Sequence, residues 1–171
     1  MTVLIAGAGP AGARLATSLS EAGRDVVLVE RLTEPHRNSF SSAALSLGEA
    51  SRLNLPQSAW SATWSGWQLF DPSGHEHQWW DADPLGVVLD FGRLRSAMWS
   101  RARAAGAEVL SGCTVRIEVL HSDGARVLLQ HGDGRRQHRS VKWVIDATGS
   151  SRCLLREASV PPPSMLDPLL E

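Results

Sequence analysis

Three glycines near the amino terminus, Gly7, Gly9 and Gly12, stand in a G-x-G-x-x-G spacing. That spacing suits one chemistry, the close approach of backbone amides to a pyrophosphate. Gly7 lets the chain turn tightly, Gly9 lets backbone come near the phosphates, and Gly12 lets the following helix pack close on a strand. A carboxylate, Glu30, lies 23 residues beyond Gly7, near the offset of about 20 residues at which an acid accepts a ribose 2′-hydroxyl.

The elements that must position these residues can be read around them. Val3 to Ala6 is a short apolar run suited to a buried parallel strand. A helix follows, with Ala11, Leu15, Ala16 and Leu19 as its expected buried stripe and Gly23 at its C-terminal cap. Val26 to Val29 supplies a second strand, closed by Glu30. The helix N-terminus would face the phosphates with unpaired N–H groups and the positive end of its dipole. With both strands, the helix and the acid in register, the segment reads as a complete β–α–β dinucleotide-binding unit.

The chain has 171 residues, enough for one domain that buries roughly 70% of its unfolded surface and short for two. A formal net charge of −1 with mixed signs leaves no basic field, which argues against nucleic acid or an anionic membrane and favours a small-molecule substrate. Cys113 and Cys153 stand in no CxxC or metal spacing. They are expected to be reduced thiols of a cytoplasmic protein, Cys113 in the core and Cys153 at the surface. No apolar run approaches the roughly 18–20 residues of a membrane span, no leader is expected before the first strand, and no internal repeat is evident. Seven Trp with no Tyr is the compositional oddity.

After Arg31 the polar stretch 32–44 reads as a loop, followed by a short helix around Ala44 to Leu53. The texture from Thr63 is β: Thr63 to Phe70, a turn at Asp71-Pro72-Ser73-Gly74, then HEHQWW, together a hairpin insertion over 60–89. Gly86 to Leu89 is a further strand candidate. Phe91 to Ala105 reads as a helix with Leu94, Met98, Ala102 and Ala105 on one face and Gly106 as its cap. Strands around Thr114 to His121, Ala125 to His131 and Gln137 to Val141 form an antiparallel meander over 113–141. Trp143 to Ile145 is a last apolar strand, ending in Asp146-Ala147-Thr148-Gly149. A helical turn and a Pro-containing tail over 156–171 close the chain.

A single strand over Thr63 to Phe70 would send Trp64 and Trp67 to opposite faces, as the neighbours Trp79 and Trp80 would also point. One face would then line a substrate pocket or meet a missing domain, a complementary polypeptide or a dimer partner, unless an irregular loop folds these rings back. His75 and His77 share a strand face at i, i+2, but no third ligand accompanies them, so no metal site is expected. No Ser-His-Asp or Cys-His arrangement argues for hydrolysis, and no catalytic residue is named.

The order of these elements, with VLIAGAGPAGARLATSLSEAGRDVVLVER at the start, VIDATGSSR near the end and GRLRSAMWSRARAAGAEVLSGCTV between them, resembles the N-terminal half of the flavoprotein monooxygenase superfamily. That group includes p-hydroxybenzoate hydroxylase, geranylgeranyl reductases and flavin-dependent halogenases. The resemblance implies an α/β, Rossmann-like FAD/NAD(P)-binding domain over 1–155, with its core in 1–31, 91–110 and 142–150. It implies FAD as cofactor, with NAD(P)H as reductant. Gly7, Gly9, Pro10, Ala11 and Gly12 would form the pyrophosphate loop, Glu30 would hold the adenosine ribose, and Arg31 would lie beside the adenine. Asp146 and Gly149 belong to the turn whose backbone would pass close to the cofactor.

Three departures accompany the resemblance. Phe91 stands where many relatives place an Arg and Arg95 where they place an Asp, so Arg93 is only a weak substitute in the cofactor set. The FSSAAL segment over 40–45 lacks the Gly-Glu-Ser pattern of halogenases. The ribitol-binding Gly-Asp segment and the substrate domain of the family's second half are expected to be absent, since Gly132-Asp133 falls in a polar hairpin turn. The function implied is the FAD-binding part of an oxidoreductase of monooxygenase or geranylgeranyl-reductase type, acting on an apolar or aromatic small molecule. The alternatives are a split or truncated non-catalytic subunit that pairs with another chain, and a lycopene-cyclase-like enzyme with no net redox change.

Overall fold

The computed structural model describes residues 1–37 and 42–157. Along the chain the elements are β1 (Thr2–Ala6), α1 (Pro10–Glu21), β2 (Asp25–Glu30), β3 (Ser42–Ser46), α2 (Leu47–Arg52), β4 (Trp60–Trp64), β5 (Gly66–Phe70), β6 (Glu76–Trp80), β7 (Gly86–Asp90), α3 (Phe91–Ala104), β8 (Glu108–Ser111), β9 (Cys113–His121), β10 (Gly124–His131), β11 (Arg136–Val141), β12 (Trp143–Asp146) and α4 (Cys153–Glu157). They form two compact units, one of residues 1–34 with 99 onward, the other of residues 35–98. The inserted unit therefore begins well before the hairpin expected at 60–89.

In the first unit a parallel sheet runs in the order β12-β1-β2-β8. Alternation sorts its side chains between two faces. Leu4, Ala6, Val27 and Val29 form one core with Val127, Leu129, Cys113 and Val141 of the antiparallel meander β9-β10-β11. Val3, Ile5, Val26 and Leu28 are equally buried and point the other way, to the face that α1 covers. The residues α1 buries are Gly12, Ala13, Ala16 and Thr17. Of the expected stripe only Ala16 is among them, since Ala11 is exposed and Leu15 and Leu19 are half-buried. Small residues win the inner face because they let the helix axis approach the sheet.

Both helix ends read from glycine are present. Gly23 has φ +73°, and the N–H groups of Gly23 and Arg24 donate to the carbonyls of Ser20 and Leu19, closing α1 in a Schellman motif. Gly106 ends α3 the same way, with φ +102°. β8 was not expected from sequence. It adds an edge strand to the parallel sheet beside β2.

In the second unit β3, β7 and β4 form an antiparallel sheet in that order, over a core of Ala50, Ala59, Val87, Leu89 and Leu94. Residues 42–46, expected as loop and helix start, are thus a strand, because their backbone finds a partner in β7 far along the chain. The helix itself is shorter, Leu47–Arg52, with Ser46 Oγ accepting from the Glu49 N–H at 3.1 Å. Phe40 and Ser41 lie outside the described residues.

The strand expected over Thr63 to Phe70 is interrupted at Ser65. β4 pairs with β7 while β5 turns to pair with β6 alone. The interruption overturns the opposite-face expectation for Trp64 and Trp67, whose rings meet with centroids 4.4 Å apart at 59°. Trp67 and Trp79 are cross-strand partners on one face of the ribbon, and Trp79 and Trp80 are exposed. The expected turn is present, with Gly74 at φ +85° and Asp71 Oδ1 accepting from the N–H groups of Ser73 and His75. Among the described residues no helix is long and apolar enough to cross a membrane.

Candidate functional site

β1 delivers the chain to Gly7, which turns with φ +99° while its N–H donates to the Val29 carbonyl at 2.8 Å. A Cβ at Gly7 would fall on the Ala147 carbonyl oxygen, so the turn after β12 sits directly against the glycine loop. A Cβ at Gly12 would fall on the Gly7 carbonyl oxygen, so the first turn of α1 is pressed onto the same loop. Gly9 differs from both, since no heavy atom outside residues 8–10 lies within 4 Å of where its Cβ would be. The first i→i−4 bond of α1 runs from the Ala13 N–H to the Gly9 carbonyl at 2.9 Å. The amides of Ala11 and Gly12 therefore have no intrahelical acceptor, and Pro10, at the first helical position, has no N–H to offer. Open space thus lies beside Gly9, next to amides at the positive end of a twelve-residue helix.

Glu30 closes β2 with only 9% of its surface exposed. Its Oε2 accepts from the Ala8 N–H at 2.8 Å and its Oε1 from the Leu32 N–H at 2.9 Å. The carboxylate is thus a brace for the glycine loop, and each oxygen retains a lone pair for a further donor. Arg31 follows it and is exposed. On the other side of the same residue, the Ala8 carbonyl accepts from the Trp99 indole at 2.7 Å, and Trp99 is buried. The expected buried face of α3 ran through Leu94, Met98 and Ala102 and passed Trp99 by. No local pattern could have paired Trp99 with a residue 91 positions earlier.

Asp146, at the end of β12, is fully engaged by protein groups. Its Oδ1 accepts from the Thr148 N–H at 3.0 Å and the Thr148 hydroxyl at 2.6 Å, and its Oδ2 from the N–H groups of Leu154 and Leu155, both at 2.9 Å. Burial pushes this carboxyl upward, but the Thr148 and α4 donors outweigh it and hold Asp146 below the ordinary carboxylate range. Gly149 then turns with φ +69° and open space about its α-carbon. Asp146 is the bracket that ties the turn to α4, and it makes no use of Gly149. Asp146→Asn turns one acceptor oxygen into a donor facing N–H groups, and should cost about 1.5–3 kcal/mol of stability. A depressed folded-state value means the contribution is present above the ordinary carboxylate range and is lost as pH falls through that value. Thermal unfolding between neutral pH and about pH 3 should show wild type losing its advantage over Asp146→Asn only below about pH 4.

Arg93 belongs to the second unit, where its Nε lies 3.6 Å from Asp90 Oδ2 and its N–H donates to Asp90 Oδ1 at 2.9 Å. His75 falls in the turn, not in β6, with Nδ1 3.3 Å from Asp71 Oδ2, and His77 Nε2 lies 3.7 Å from the same oxygen. Among the described residues no three side chains converge as a metal site. Cys113 is buried, with its thiol pushed up by that burial, and Cys153 is exposed.

Residues 1–46 match the family described as FAD binding domain. Digeranylgeranylglycerophospholipid reductase of Haloferax volcanii is 29% identical over 157 residues, 90% of this chain and 37% of that protein. The chain thus spans little more than a third of the length of this curated relative. Among solved structures, a geranylgeranyl bacteriochlorophyll reductase-like protein from Thermoplasma acidophilum superposes with a TM-score of 0.81 at 20% identity, covering 95% of this chain and 44% of that one. The halogenase PltM, solved with phloroglucinol and FAD, superposes with a TM-score of 0.70 at 19% identity, covering 92% and 36%. Residues 1–46 thus match a model of an FAD binding domain, and the fold around them is shared with the reductase-like protein and with the halogenase solved with FAD.

Proposed function

We propose that the chain holds FAD through the Gly7–Gly12 loop as part of an oxidoreductase of geranylgeranyl-reductase type, with NAD(P)H as reductant and an apolar, prenyl-like small molecule as substrate. The observation that carries the cofactor reading is the open space beside Gly9, next to first-turn amides and beside a buried carboxylate at the end of the neighbouring strand. The loop amides and the α1 dipole would neutralise the pyrophosphate. Glu30 would accept a ribose hydroxyl with the lone pairs left over from bracing Ala8 and Leu32. Arg31 would lie beside the adenine, and the backbone at Gly149 would pass close to the cofactor. The flavin, when bound, supplies hydride and electron transfer, so the protein's own task is to bind and orient it. The substrate class rests on likeness over nine-tenths of the chain to the archaeal lipid reductase.

Titration with FAD, ADP and NAD tests the cofactor assignment. FAD and ADP should compete for one site, and preference for NAD over FAD would overturn it. Glu30→Ala should weaken ADP binding by about 10- to 100-fold, the worth of a charge-assisted hydrogen bond. To separate contact with ribose from bracing of the loop, 2′-deoxy-ADP is the informative ligand. It should bind wild type more weakly than ADP does, and should bind Glu30→Ala no more weakly than ADP. NADPH consumption with a prenyl-lipid and aromatic substrate panel then distinguishes reduction and hydroxylation from a non-redox cyclisation.

A further inference from the structure

We infer that Trp99 is a positioning residue for the pyrophosphate site, acting by fixing the orientation of the peptide that joins Ala8 to Gly9. The inference rests on the FAD reading above. Its basis is the 2.7 Å bond from the Trp99 indole N–H to the Ala8 carbonyl, made by a side chain only 2% exposed.

The peptide plane carries the argument. The Ala8 carbonyl and the Gly9 N–H belong to one peptide unit, and no peptide bond in the described chain is cis. In a trans peptide the two groups point in opposite directions. With its carbonyl held by Trp99 on the buried side, the unit must aim the Gly9 N–H away from the indole. The Ala8 N–H, in the preceding unit, is held by Glu30 at 2.8 Å. The two side chains thus fix two successive peptide planes at the crest of the loop, one through a donor and one through an acceptor.

Gly9 makes this restraint necessary. Its φ of −66° is ordinary, but rotating the Ala8–Gly9 peptide by half a turn would carry φ into the positive range, which glycine alone enters freely. The flip would place the Ala8 carbonyl dipole where the N–H had been, turning an attractive group into a repulsive one for an anion. A residue with a Cβ would resist the flip by itself, yet would fill the space that Gly9 leaves open. Glycine gives access, and the Trp99 bond restores the orientation that glycine leaves unguarded.

The test compares ADP with adenosine, whose difference in affinity reports the phosphate contacts alone. Two replacements remove the donor: Trp99→Phe, and benzothienylalanine at position 99, which keeps the bicyclic shape with sulfur in place of N–H and so guards against a variant that fails to fold. Either should lower ADP affinity by about 3- to 10-fold, the worth of one buried hydrogen bond, while leaving adenosine affinity unchanged. In wild type, the Trp99 indole N–H resonance, identified as the one of seven that Trp99→Phe or site-specific labelling assigns, should shift on adding ADP and not on adding adenosine. Equal losses for ADP and adenosine, or an unchanged ADP affinity with the sulfur isostere, would overturn the role of Trp99 and leave the FAD reading standing. A wild-type protein that binds ADP no better than adenosine would overturn the FAD reading itself, and this inference with it.

Discussion

A methyl group at Gly12 is expected to destabilise the first unit itself, and not merely to weaken its ligand. The added Cβ would fall on the Gly7 carbonyl oxygen, with the Ala147 side chain 3.1 Å away, so the obstacle is backbone and cannot rotate aside. Relief requires α1 to lift from β1 and β2, opening the interface that Ala13, Ala16 and Thr17 share with the sheet. Overpacking usually costs about 1–3 kcal/mol, and an obstacle made of backbone puts Gly12→Ala at or above the top of that range. Against a total stability of about 5–15 kcal/mol, the loss should lower the unfolding midpoint by roughly 6–12 °C. Gly7→Ala should behave alike, because it adds an unfavourable φ of +99° to a collision with the Ala147 carbonyl. Circular dichroism on heating measures both, and a midpoint within a degree or two of wild type would show that the loop yields more easily than its contacts imply.

What could be read from sequence and what could not divide along the range of the interactions. β1, α1, β2 and the meander were readable because each is announced locally, by an apolar run, a spaced glycine or a turn dipeptide. The Schellman glycines Gly23 and Gly106 are of this kind, as is the Asp71 to Gly74 turn. The buried stripe of α1 departs from its hydropathy pattern because size outranks hydropathy: the helix presents Gly12, Ala13, Ala16 and Thr17 inward, and the leucines flank them. β3 is hidden in a serine-rich stretch whose only reason to be extended is its pairing with β7, forty or more residues on. β8 was missed because its four residues gain their role from β2. Within the site, the spacing of the glycines and Glu30 was readable, while the use of Glu30 and Trp99 to hold the two sides of Ala8 was not. A hydrogen bond to a backbone atom leaves no mark in the type of residue that receives it.

Gly9→Val is expected to give the opposite pattern to Gly12→Ala, keeping the fold and abolishing the ligand. Beyond its immediate chain neighbours nothing lies within 4 Å of the Cβ position at Gly9, and its φ of −66° and ψ of −179° are open to any L-residue. The structural cost is that of a poor helix N-cap, about 1 kcal/mol, which should move the unfolding midpoint by only about 2–4 °C. For the ligand the change is severe. The isopropyl group would occupy the space beside the Ala11 and Gly12 amides, and a pyrophosphate displaced from them loses several charge-assisted bonds at once. FAD and ADP affinity should fall by at least about 100-fold, since each such bond is worth about 1.5–3 kcal/mol. Adenosine, which lacks the phosphates, should lose far less. Calorimetric titration of folded Gly9→Val with the three ligands decides the matter. Unchanged FAD affinity would place the pyrophosphate elsewhere on the chain and detach the glycine spacing from cofactor binding.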